Sequence, residues 1–131
     1  MTTPSASKRF VVDSSGWIEY FGNGPKADSF AHYLERPEVL LISSITIYEV
    51  YKKLLSEQRN YLAEQFLSQA FAFYDREIYL SAGLAAQAAK ISLQHQLAMA
   101  DAIIYATAQE HRAQLVTSDA HFANLAGVIL L

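Results

Sequence analysis

Cysteine is missing from this chain altogether. Its absence excludes disulfides, thiolate nucleophiles and cysteine zinc sites, and it suits a reducing cytoplasm, the expected setting. No apolar run is long enough to span a bilayer, so no membrane partner is expected. The first nine residues lack the apolar stretch of a signal peptide. Residues 1–7 read instead as a mobile tail ahead of one domain over 8–131. A basic surplus is lacking as well: the formal net charge is −3, whereas nucleic-acid binders often carry excess cations. Acids that gather in one pocket and bind cations would make that bare figure a poor guide to the working charge. There is no glycine-rich phosphate loop, no nucleophile elbow around Ser14 and Ser15, no repeat and no low-complexity tract. What remains is 131 residues, 52% hydrophobic and 18% charged, enough to bury one sizeable core and too apolar for disorder.

Short apolar runs punctuate the chain. Residues 9–13, 39–42, 77–80, 114–117 and 127–131 read as strands. Between them lie helical patterns. One follows Ser14 and Ser15 with Trp17, Ile18, Tyr20 and Phe21 as its apolar contacts. A second ends near Leu34, with Pro37 just past it, and a third runs from about Ser44 or Thr46 to Gln58. Others cover residues 61–74, the alanine-rich 81–95, and 100–112, and a single turn covers 120–125. Strands alternating with helices predict an α/β fold, a parallel sheet covered on both faces.

Three acids fall where a strand or its loop hands over to a helix. Asp13 closes the first strand, Glu49 lies in the first turn after the second, and Asp119 lies just past the fourth. With right-handed crossovers, the carboxyl ends of parallel strands share one edge, where ligands bind. Asp101 begins a helix beside Leu97, Ile104 and Tyr105 at helical spacing, which turns it inward. An inward carboxylate needs a partner, and converging acids raise one another's pKa or recruit a cation. Oxygen ligands favour magnesium or manganese, ions that activate water against a phosphodiester. Each acid also has a structural reading. Asp13 and Asp101 suit helix caps, Thr46 to Glu49 matches a capping box, and Asp119 suits a turn. The combination carries more than any member, because an acid at a helix start can both cap and ligate.

His32, His95, His111 and His121 lack metal-motif spacing and read as surface or structural. The aromatics between Tyr61 and Tyr79 read as core first and as an interface second.

Four blocks carry a resemblance. The segment Phe10-Val11-Val12-Asp13 with Trp17 to Phe21 after it resembles the opening of a PIN domain, in particular of VapC-type toxins of bacterial toxin–antitoxin pairs. The blocks around Glu49, Asp101 and Asp119 resemble the family's second, third and fourth acidic blocks, in family order. The resemblance implies a three-layer α/β/α sandwich with a mainly parallel central sheet. It also implies a magnesium- or manganese-dependent endoribonuclease that cuts transfer or ribosomal RNA. By block, Asp13, Glu49, Asp101 and Asp119 would form the acidic site. Asp13 and Asp101 would be the firmest metal ligands, with Ser14 and Thr117 as supporting hydroxyls. Lys26, Lys52, Lys53 and Arg112 are the candidates for the RNA surface. A homodimer and a cognate VapB-type antitoxin are the implied protein partners.

Three rivals stand beside this reading. A catalytically silent PIN-like module that binds RNA or protein would keep the fold without cutting. A receiver-like domain with Asp13 or Asp119 as phosphoacceptor wants a lysine at a strand end, and no strand here ends in one. A DNase or flap-type nuclease would be longer and carry more acids. Removing Asp13 or Asp101 is expected to abolish activity and leave metal-free stability unchanged or slightly raised, since crowded acids repel.

Overall fold

The computed structural model describes residues 8–72 and 75–131. The tail expected over residues 1–7, and Phe73 and Tyr74 at the end of the fourth helical pattern, lie outside the described residues. Five strands, β1 (Phe10–Val12), β2 (Leu40–Ser43), β3 (Glu77–Ile78), β4 (Gln114–Thr117) and β5 (Val128–Leu130), form one sheet in the order β3-β2-β1-β4-β5. Every pairing is parallel. The helices are α1 (Ser14–Phe21), α2 (Ala27–Leu34), α3 (Ser44–Ser56), α4 (Asn60–Phe71), α5 (Ala82–His95) and α6 (Met99–Glu110). The expected three-layer α/β/α sandwich with a parallel sheet is what the chain forms.

Alternation along the strands explains the layers. Val11, Leu41 and Leu115 point to one face and pack with Leu84, Ile91, Ile104 and Tyr105 of α5 and α6. Phe10, Val12, Leu40, Ile42 and Val116 point to the other and pack with Trp17, Phe30, Val50 and Phe66 of α1 to α4. Strands buried on both faces read as unbroken apolar runs, as these do.

Some expectations shift. Pro37 opens a 3-10 turn, Pro37–Val39, so β2 begins at Leu40 and extends to Ser43. Proline's fixed φ and missing N–H suit the first position of such a turn. The third strand pairs over two residues only, because it lies at the sheet edge with one neighbour. On α4 the buried stripe is Ala63, Phe66 and Ala70. Tyr61 and Phe71 lie off that stripe and are exposed, as is Tyr79 after β3, so Phe66 alone of the described aromatics in that stretch is core. No helix among the described residues is long and apolar enough to cross a membrane.

Candidate functional site

The chain runs β1, β2, β3 outward in one direction, then returns past β1 to lay down β4 and β5. The strand order thus reverses between β1 and β4, the switch point where open parallel sheets leave a crevice at their carboxyl edge. Val12 pairs with Val116 there, so Asp13 and Thr117 come out side by side. The Asp13 N–H donates to the Val116 carbonyl at 3.1 Å.

Asp13 is buried at 4% exposure and is heavily tied. Its Oδ1 accepts from the Gly16 N–H at 3.1 Å, which caps α1. Ser15 Oγ reaches both carboxylate oxygens, at 3.0 and 2.9 Å, and Thr117 Oγ1 donates to Oδ2 at 2.8 Å across the switch point. Thr117 Oγ1 in turn accepts from the Asp119 N–H at 2.9 Å. One buried hydroxyl therefore sets the spacing between two acids. Burial outweighs these bonds and pushes the Asp13 carboxyl up to about 6, with repulsion from Asp119 adding to it.

Glu49 stands in the second turn of α3, one turn later than expected, because α3 begins at Ser44. Ser43 caps that helix, accepting from the Ile45 N–H at 3.3 Å. The capping-box reading of Thr46 to Glu49 is thereby overturned: Thr46 is buried inside the helix and Glu49 is released from any capping duty. Its carboxylate accepts from Ser14 Oγ at 2.5 Å. Asp101 is third in α6, whose cap position is Ala98, so the cap reading fails for it too. It is half-buried, and no hydrogen bond among the described residues ties its carboxylate down. Its carboxyl is raised by burial first, then by repulsion from Asp119 and from Glu49, with His121 acting in the opposite sense. Asp119 caps the 3-10 turn Ala120–Phe122 through the His121 N–H at 2.9 Å. Capping and presence in the cluster coincide for Asp13 and Asp119.

The four acids are linked by mutual repulsion, Asp13 to Asp119, Asp119 to Asp101, and Asp101 to Glu49. None of them pairs with a lysine or arginine among the described residues. Asp101, Asp119 and His121 each offer a ligand atom within 4.8 Å of the others. Asp13 is outside that triplet. His121, expected to be surface or structural, is exposed, and its Nδ1 also lies 3.1 Å from Asp119 Oδ1. The signal that finds it is proximity in sequence, two residues after an acid at a strand end. Ser15 was missed in the same way, while Ser14 serves Glu49 and Thr117 serves Asp13. Carboxylate oxygens in this number suit a hard divalent cation, magnesium or manganese, and one imidazole is compatible with manganese.

Of the proposed RNA cations, Lys52 and Lys53 lie on α3 beside Glu49. Lys26 donates to the Leu131 carbonyl at 3.0 Å. Arg112 follows α6 at the opening end of β4, the edge of the sheet away from Asp119, and drops out as a contact to this site.

Residues 10–128 match the family described as PIN domain. The chain belongs to the PIN-domain family. Among solved structures, a toxin–antitoxin complex from Klebsiella pneumoniae is 26% identical at a TM-score of 0.72, covering 91% of this chain and 94% of that one. A sarcin–ricin-loop-cleaving toxin of Mycobacterium tuberculosis, VapC20, is 18% identical at 0.72, covering 91% and 96%. VapBC2 of Rickettsia felis, bound to a DNA fragment from its promoter, is 20% identical at 0.65, covering 93% and 96%. At such identities these last two speak for the fold. No curated protein sequence matches this PIN domain. The resemblance to a PIN domain carried by the four blocks is borne out by the family match, and the chain is similar in fold to the toxin–antitoxin complex at 26% identity.

Proposed function

We propose that this PIN domain is the toxin of a toxin–antitoxin pair and a divalent-metal-dependent endoribonuclease of the cytoplasm. Its substrate would be transfer or ribosomal RNA, its partner a VapB-type antitoxin, and its assembly a homodimer. One observation carries the reading: acids from four distant segments converge at the switch point with no lysine or arginine among the described residues to neutralise them. Such a cluster is costly unless a cation or a reaction uses it.

A bound magnesium or manganese ion would polarise a phosphoryl oxygen and lower the pKa of water. Asp101 and Asp119, with Glu49 at the margin, are the side chains that would hold it. Asp13 would complete the shell with whatever lone pair Gly16, Ser15 and Thr117 leave free. Glu49, its carboxylate fixed by Ser14, would orient the attacking water. Water oxygen would bond to phosphorus and give up a proton to solvent, the bond to the leaving ribose oxygen would break, and that oxygen would take up a proton from solvent.

The test is cleavage of total RNA by the purified chain with magnesium, manganese or EDTA, beside Asp101→Ala. Cleavage that needs the metal and falls by about a hundredfold or more in the variant supports the assignment. No cleavage of any cellular RNA by the folded, antitoxin-free chain would favour the silent binding module.

A further inference from the structure

The acids account for a phosphate and leave open what grips the nucleotides beside it. On α3, Tyr48, Glu49, Lys52, Lys53 and Ser56 line a recess of about 230 Å³. These positions form one helical stripe, next to the stripe of Thr46, Val50 and Leu54 that faces the core. Glu49 belongs to both worlds: its carboxylate meets Ser14 at the sheet edge, and its flank borders the recess.

Tyr48 is 57% exposed and contacts no other aromatic ring among the described residues. It is nonetheless held. Lys52 Nζ donates to the Tyr48 hydroxyl at 3.2 Å and lies 5.3 Å from the ring centroid. Lys53 on the other flank is engaged by Glu57 at 3.4 Å. Lys52 is therefore the cation of the recess with no carboxylate partner among the described residues. A flat π face, an adjacent ammonium and a neighbouring acidic site make a set that suits an unpaired nucleotide. The base stacks on the ring and the phosphate meets the cation. A net-acidic chain gains most from cations placed where the strand must pass.

We propose that Tyr48 and Lys52 form the subsite for the unpaired nucleotide next to the phosphate that is cut. Tyr48 stacks on the base, and Lys52 pairs with the phosphodiester. The inference rests on the ribonuclease reading and deepens it. Stacking is tolerant of base identity, so the subsite favours single strands over particular sequences.

The test reads binding separately from cleavage. Asp101→Asn, with magnesium present, is titrated against a fluorescently labelled single-stranded oligoribonucleotide of mixed sequence. Added to it, Tyr48→Ala weakens affinity by about tenfold, while Tyr48→Phe stays within about twofold. Lys52→Ala weakens it too and flattens the slope of log affinity against log salt by about 0.7. Unchanged affinity in Tyr48→Ala overturns the subsite and leaves this face to a protein partner; failure of the Asp101→Asn chain to bind the oligonucleotide overturns it as well. Metal-dependent cutting by the unaltered chain, with binding indifferent to Tyr48, would sink the subsite and keep the ribonuclease. Tyr48-dependent binding by a chain that never cuts would do the reverse.

Discussion

Between Val12 and Ser14 the chain buries a carboxylate that three donors hold in place. Folded, Asp13 keeps its proton up to about 6; its ordinary value is 3.8. Between those values the native chain binds more protons than the unfolded one, so stability falls as pH rises through the window. Metal-free melts should show the protein less stable at pH 7 than at pH 5, by on the order of 1 kcal/mol from this group. Asp101 shifts in the same direction and adds to the slope. Asp13→Asn should flatten it; an unchanged slope would remove Asp13 as its source. The structure also separates two variants that the sequence treats alike. Asp101→Ala strands no donor and should hold or gain stability. Asp13→Ala removes a cap and leaves the Gly16 N–H and the Thr117 hydroxyl without their acceptor, so it should lie about 1–3 kcal/mol below Asp13→Asn at pH 7.

Among the elements, α1 is set by its third residue. A Cβ on Gly16 would stand 2.5 Å from both a Phe30 ring carbon and a Val12 methyl. Gly16→Ala should therefore destabilise by about 1–3 kcal/mol, and because Gly16 also caps onto Asp13, activity should fall further than the folded fraction. Equal losses of both would make Gly16 a packing residue only. Elements were largely legible in the sequence, since buried strands are short apolar runs and Ser43 and Ser81 are ordinary caps. Edge effects were not: the length of β3 and the exposure of Tyr61 and Phe71 depend on neighbours far away in the chain. The acids could be found because each stands near a strand or helix end. The division of labour between Ser14 and Ser15, and the approach of His121 to Asp101, arise only when four segments meet.

Across the whole molecule, a cation that binds only the folded site stabilises by mass action, about 2.7 kcal/mol at a hundred times its dissociation constant. Magnesium or manganese should raise the Tm of the parent chain and leave that of Asp101→Asn nearly unmoved. An equal rise in both would place the ion elsewhere.

Asp13, Glu49, Asp101 and Asp119 are spread over most of the chain, and β4 can take its place only beside β1. Such long-range pairing comes late and slowly in folding, because distant loops must close first. During synthesis Asp13 emerges well ahead of Asp119. A nascent or truncated chain that lacks β4 carries no assembled centre. The acidic cluster therefore assembles only once β4 is available to pair with β1.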